Sequence, residues 1–194
     1  MTENSKTKGY GLRNNDSALI SYICTMKRTI LITFTVLLLA AGCKPKRIPG
    51  KTYFDTPSAY NDYIVNEQKA VMESFDDFAG AVNHGDRDSM SFFRKTLNDR
   101  AELAESKMES LADYKDDTLF RYSAQELFKY VSLACDNELQ EIYNIASKDS
   151  AISETDVERI HQLSEIYTRE EKLRNDALIA AQEKFAKKFN VIIK

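Results

Sequence analysis

The stretch that decides the fold is Asp86–Leu111, DRDSMSFFRKTLNDRAELAESKMESL. Its apolar residues recur at steps of three and four, which places them on one face of an α-helix. They are Met90, Phe93, Leu97, Ala101, Ala104, Met108 and Leu111. Asp86 or Asp88 is suited to cap the start. The pattern predicts an amphipathic helix whose apolar face needs partners.

The placement of helix breakers extends this prediction to the rest of the chain. The last proline is Pro57, and neither Gly nor Pro follows Gly85. Sheets and barrels need turn residues at short intervals. The chain after Gly85 is therefore predicted to form long helices joined by short polar turns.

Three further helices are predicted, one before this helix in the chain and two after it. One begins with Thr56 as N-cap and Pro57 in the first turn, and it ends at Gly85 in a left-handed cap. Its stripe is Ile64, Val71, Phe75, Phe78 and Val82.

The other two follow in sequence. The third helix starts at Asp116 or Asp117, and the fourth starts at Ser153, which forms a capping box with Asp156. The third stripe is Phe120, Ala124, Leu127, Val131, Ala134, Ile142 and Ile145, and the fourth is Val157, Ile160, Tyr167, Ala177, Leu178, Ala181, Phe185 and Phe189.

Short connections between consecutive helices favour antiparallel neighbours. We therefore predict an all-α, up-down-up-down four-helix bundle over residues 57–194. Five residues of the stripes are predicted to lie in its core: Phe75, Phe93, Leu127, Val131 and Ile160. Alanine in place of either Phe is expected to cost about 3–5 kcal/mol.

A different kind of segment precedes the bundle, Met26–Cys43, MKRTILITFTVLLLAAGC. Lys27 and Arg28 precede an apolar run over residues 29–41, as in a secretory signal. That run is shorter than the roughly 20 residues of a spanning helix. Residues 1–25 are polar and aperiodic. We interpret them as an upstream extension with translation starting at Met26, or as a long head removed with the signal.

The closing residues 39–43, LAAGC, resemble the lipobox of bacterial lipoproteins. In that family cleavage falls between the residues equivalent to Gly42 and Cys43, and the Cys is acylated. The resemblance implies that 26–42 is a signal peptide and that Cys43 anchors the protein in the bacterial cell envelope. In the commonest lipobox a Leu lies three residues before the Cys. Here Ala40 occupies that position, and Leu39 lies one residue further from the Cys. The remaining body is similar only in general terms to small helical envelope lipoproteins of unassigned function.

Residues 43–56 are predicted to be a flexible, lipid-anchored tether, because Pro45, Pro49 and Gly50 break regular structure. Lys44 follows the anchor Cys, whereas an Asp there retains lipoproteins in the inner membrane of one sorting system. The outer membrane, facing the periplasm, is therefore the expected location, with exposure on the cell surface as the alternative.

Charge and cysteine content restrict the partners. The formal net charge is −3, and the removed segment is basic, so the body is more acidic still. An acidic body argues against nucleic-acid binding, which needs clustered Lys and Arg. The expected partners are the membrane, through the anchor, and an envelope protein. Cys135 is predicted to be a small buried apolar residue.

The one motif typical of metal sites is Glu158-Arg-Ile-His161. Glu-x-x-His on a bundle helix occurs in di-iron proteins, but those sites need it on two helices. The other histidine, His84, has no Glu three residues before it. A surface pair is the preferred interpretation of Glu158 and His161, and we predict no cofactor.

Two further sets of residues have competing interpretations. Six tyrosines follow the stripes and are predicted to line the rim of the core rather than a binding groove: Tyr60, Tyr63, Tyr122, Tyr130, Tyr143 and Tyr167. Lys184, Lys187 and Lys188 either complement the helix dipole or, on a helix end that projects beyond the others, face the membrane with the basic tether.

Nucleophilic catalysis needs a base beside a Ser, Thr or Cys, and no such arrangement can be identified in the sequence. The expected function is a non-enzymatic binding or assembly module. The alternatives are a bundle that binds a metal or small ligand, and a structural oligomer on the membrane surface.

Overall fold

The computed structural model describes residues 47–148 and 151–193, and residues from Ile48 onward form one compact unit. Helices make up most of this part, and it contains no β-strand: α1 (Pro57–His84), α2 (Arg87–Ser110), α3 (Leu119–Asp136), α4 (Glu138–Ala146) and α5 (Glu154–Phe189). The prediction of an all-α fold is confirmed. The predicted signal peptide, with Gly42 and the lipidation residue Cys43, lies outside the described residues.

The helix ends follow the capping residues of the sequence. The Thr56 side chain accepts a hydrogen bond from the Ala59 N–H, and Gly85 ends α1 in the left-handed region at φ 69°. Asp86 caps α2, and Ser153 and Asp156 form the capping box of α5. Each cap satisfies backbone groups that lack a partner within the helix. These predicted boundaries are confirmed.

The predicted third helix is interrupted. The backbone departs from helical geometry at Asn137, at φ −115° and ψ −94°, and this residue separates α3 from α4. Its start also differs, because Lys115 and Asp116 lie in the left-handed region, which prevents a helix from beginning at Asp116. The predicted third helix is therefore two helices, α3 and α4, which are joined at Asn137.

The core lies along the packed faces of these helices. α2 packs against α1 and α3, and α5 packs against α3 and α4. Leu127 and Val131 are fully buried, as predicted. Phe75, Phe93 and Ile160 are only partly buried and contact the core from its edge. Val157 and Ala177, both on the predicted stripe of the last helix, are exposed.

The described part of the predicted tether lies on the body of the protein. The Thr52 N–H donates to the Ser110 carbonyl at 2.8 Å, and the Ala112 N–H donates to the Thr52 carbonyl at 2.9 Å. The Phe54 ring lies 5.0 Å from that of Tyr63. Residues 52–54 thus differ from a flexible tether, because backbone hydrogen bonds and ring contacts fix them beside the end of α2.

None of the helices within residues 47–148 and 151–193 combines the length and the apolar character that crossing a membrane requires.

Candidate functional site

A cavity of about 180 Å³ lies between α1, α4 and α5. Its walls are mainly apolar and its remaining lining is neutral and polar. The apolar lining residues are Phe75, Phe78, Ala79, Val82, Leu139, Ile142 and Ile160, joined by Tyr167, and the polar ones are Asn83, Ser164 and Thr168. Asn83, Ser164 and Thr168 are also exposed, so they form a polar rim.

The break between α3 and α4 builds one wall of this cavity. After Asn137, α4 brings Leu139 and Ile142 to face the last turns of α1. The end of α3 is held from α2, where Arg94 Nη1 donates to the Cys135 carbonyl at 2.8 Å. Cys135 is itself fully buried, as predicted. The break thus receives a hydrogen bond that the interrupted helix no longer supplies.

Tyr167 is the most unusual residue of the lining. Its side chain is only 4% exposed, and its ring stacks on Phe75 with centroids 4.7 Å apart. Its hydroxyl has no hydrogen-bond partner in the described part of the chain. Burial raises the pKa of this hydroxyl well above its usual value. The phenol is therefore neutral throughout the physiological range.

Three of the six tyrosines are more deeply buried than the predicted position at the rim of the core. Tyr60, Tyr130 and Tyr167 are buried in the core, and Tyr122 alone of the six is exposed. Burial raises the pKa of Tyr130 to about 12. The Tyr130 ring stacks on Tyr167 and carries the Arg174 guanidinium 4.3 Å from its centroid. Ring stacking and a cation–π contact compensate for burying these phenols.

The lining of the cavity consists of apolar and neutral polar side chains. Among the described residues, no carboxylate, amine, guanidinium or imidazole lines the cavity. The Ser164 hydroxyl donates to the Ile160 carbonyl at 2.9 Å, within its own helix. A nucleophilic Ser needs an adjacent base, and the lining provides none.

The Glu158 and His161 side chains are not brought together. Gln162 Nε2 donates to Glu158 Oε1 at 3.2 Å, while His161 Nδ1 lies 3.6 Å from Glu165 Oε1. Both residues are exposed on α5. Within residues 47–148 and 151–193, no three His, Cys, Asp or Glu side chains are placed to hold a metal ion.

The lysine cluster lies at the other end of α5. Lys184, Lys187 and Lys188 are all exposed, and Lys188 pairs with Asp117 at 3.0 Å. Phe185 packs on Phe120 with centroids 5.3 Å apart. The helix end therefore packs on the body and does not project as predicted, because Phe185 contacts the Tyr60 ring in α1 and Phe189 contacts the Tyr114 ring.

Sequence reasoning did not identify the cavity. A signal for the break was present in the pair Asp136 and Asn137, because the side chains of both residue types favour helix ends and turns over helix interiors.

The chain matches no known protein family, no curated protein and no solved structure at a significant level.

Proposed function

We propose that the protein is a lipid-anchored, non-enzymatic binding module of the bacterial cell envelope, with its ligand site in the cavity between α1, α4 and α5. The observation that carries the proposal is the cavity itself, whose lining comes from three helices and has no ionisable group other than the neutral Tyr167 phenol. Concave, largely apolar sites with a few polar groups are typical of small-molecule binding.

The bundle is proposed to be antiparallel throughout. Along α1 and α5, three side-chain pairs run in opposite directions: Asn61 with Gln182, Gln68 with Asn175 and Phe75 with Tyr167. The same reversed order relates α2 to α3, through Arg94 with Cys135 and Asn98 with Ser132. These pairings support the up-down-up-down arrangement.

Residues 52–54 and the cavity lie at opposite ends of the body. Thr52 is hydrogen-bonded beside Ser110, next to the start of α1. The cavity lining on α1 runs from Phe75 to Asn83, so the cavity lies about 27–39 Å along the α1 axis from Pro57. An acylated Cys43 would hold the end of the body at residues 52–54 near the outer membrane. The cavity would then face the periplasm or, if the protein is exposed on the cell surface, the medium.

Cys43→Ser tests the anchor. We expect the variant to lose incorporation of labelled palmitate and to leave the membrane fraction or accumulate unprocessed, because each buried acyl CH₂ contributes about 0.8 kcal/mol to membrane binding. Equal labelling of the variant and the unmodified protein would contradict the proposal. Protease shaving of intact cells separates the periplasmic from the surface location.

Ligand binding in the cavity is tested with Ala79→Leu, which adds volume to the lining, and with Ala180→Leu as a control on the exposed face of α5. A fragment set of mixed charge and size is screened against the full chain in lipid nanodiscs. We expect at least one fragment whose binding is lost in Ala79→Leu and kept in Ala180→Leu. A set without any such fragment would contradict a binding role.

The end of the body where residues 48–56 dock supports a second function, direct contact with the membrane surface. Ile192 is 85% exposed there, and Ile48 and Ile193 are also exposed, close in sequence to exposed basic residues. Each basic residue near an anionic surface contributes about 1 kcal/mol, screened by salt.

Replacement of Lys184, Lys187 and Lys188 together by Glu is expected to abolish binding of the unlipidated protein to anionic vesicles at low salt. The matched control replaces three other exposed lysines, Lys69, Lys95 and Lys172, by Glu. Equal losses in both variants would indicate only a general effect of net charge.

A further inference from the structure

We infer that the cavity binds an uncharged molecule built on a single aromatic ring with one small polar substituent, such as a phenol or a benzyl alcohol. The inference rests on the proposed binding function and specifies its ligand class. Three properties of the site lead to it: its volume, the arrangement of apolar walls and polar rim, and the absence of charge in the lining.

The volume of the cavity suits one ring. Apolar cavities of about 150 Å³ accept benzene, and this one measures about 180 Å³ and opens to solvent at its polar rim. The difference leaves space for one small substituent. A long acyl chain has several times as many carbon atoms as benzene, so most of the chain would stay outside this volume.

The arrangement of the lining orients the ligand. Phe75, Phe78, Ile142 and Ile160 provide an apolar interior, where a ring is removed from water. Each Å² of apolar surface buried in this way contributes roughly 25 cal/mol. The Asn83 amide and Thr168 hydroxyl lie in the exposed rim, where they can pair with a hydroxyl that remains near the solvent.

The charge around the site selects against ions. No charged side chain of the described residues lines the cavity, so an ionic ligand would lose hydration without gaining a counter-ion. Burial raises the pKa of the lining residue Tyr167 most, and the negative charges of Glu171 and Asp76 raise it further. An anionic ligand is therefore disfavoured twice, by desolvation and by repulsion.

The experiment uses the full chain in lipid nanodiscs with labelled Ile methyl groups. Ile142 and Ile160 report on the cavity, while buried Ile64 and exposed Ile179 report on the core and the surface. Benzyl alcohol, benzoate and benzylamine are titrated separately, as matched neutral, anionic and cationic probes. Because the reporters are in the protein, probe dissolved in the lipid does not count as binding.

We expect benzyl alcohol to shift the Ile142 and Ile160 methyl signals saturably and to leave Ile64 and Ile179 unchanged. Benzoate and benzylamine should bind at least about tenfold more weakly. Ala79→Leu should abolish the shifts, and Ala180→Leu should preserve them. Ser164→Leu, on the exposed rim, provides a second blocking variant if Ala79→Leu does not fold.

Binding of either ion as tightly as benzyl alcohol would overturn the inference, as would benzyl alcohol shifts that persist in both blocking variants. Absence of any benzyl alcohol shift at Ile142 and Ile160 would overturn it as well. If other fragments shift these two methyl groups and lose the effect in Ala79→Leu, the ligand class is wrong and the binding function stands. If neither benzyl alcohol nor any other fragment binds in this way, the proposed ligand class and the proposed binding function are both wrong.

Discussion

The two ends of the helical body are packed in different ways. At the docking end, where residues 48–56 contact the body, a cluster of rings surrounds Phe185, which stacks or packs against Tyr60, Tyr114, Phe120 and Phe189 at centroid distances of 4.8–5.7 Å. At the cavity end, a nine-residue helix faces the last turns of α1 across the cavity, and about 180 Å³ remains unfilled.

The difference shows how one fold can combine rigidity with a site. Close packing contributes stability because each ring gains contacts on every side. A cavity gives up such contacts, and its walls are correspondingly easier to move. The docking end therefore provides stability, and the cavity end retains the space that a ligand needs.

The sharpest test of this contrast compares Phe185→Ala with Phe75→Ala. Phe185 is fully buried, and its loss is expected to cost about 3–5 kcal/mol of unfolding free energy. Phe75 is partly buried and already faces the cavity, so we expect about half that loss. Urea unfolding followed by circular dichroism measures both. Equal losses would show that the two ends are equally well packed.

The joint between α3 and α4 is expected to respond to a smaller change. Arg94→Met removes the donor to the buried Cys135 carbonyl and should cost about 1–3 kcal/mol. Lys95→Met is the matched control, since Lys95 forms an exposed pair with Asp99 that is worth a few tenths of a kcal/mol. Hydrogen exchange should become faster in α4 for Arg94→Met alone.

The Cys135 thiol reports on the same joint. Burial raises its pKa to about 12, so the thiolate is scarce at pH 8 and a thiol reagent should react slowly with the folded protein. Arg94→Met is expected to accelerate the modification, while Lys95→Met should leave its rate unchanged. Fast modification of the unaltered protein would mean that the cavity end opens readily without any mutation.

The smallest effect is expected at the start of α5, near the cavity end. Hydrogen bonds from Lys148 and Ser153 lower the pKa of Asp156 from 3.8 to about 2. The pKa of Asp156 is lower in the folded protein than in the unfolded chain. The ionised carboxylate therefore stabilises the folded state fully above about pH 4, and this stabilisation is lost as the pH falls toward 2.

Asp156→Asn should therefore speed hydrogen exchange in the first turn of α5 at pH 6 and have a much smaller effect near pH 2, where the carboxyl is partly protonated. A difference of the same size at both pH values would assign the effect to something other than the ionised carboxylate.

The sequence by itself determined the helices and most of their ends. Thr56, Gly85, Asp86 and Ser153 act on backbone groups within a few residues, so their effects can be recognised without knowledge of the rest of the fold. The apolar stripes likewise predicted Leu127 and Val131 in the core, because a helical period specifies one face.

Only the tertiary structure decided how those faces meet. At the break beside Asn137, the Arg94 side chain reaches the Cys135 carbonyl from another helix. The burial of Tyr167 depends on Phe75, a partner 92 positions away in the sequence. The cavity follows from both, because its volume is set by the relative positions of three helices, and periodicity within each helix does not contain that information.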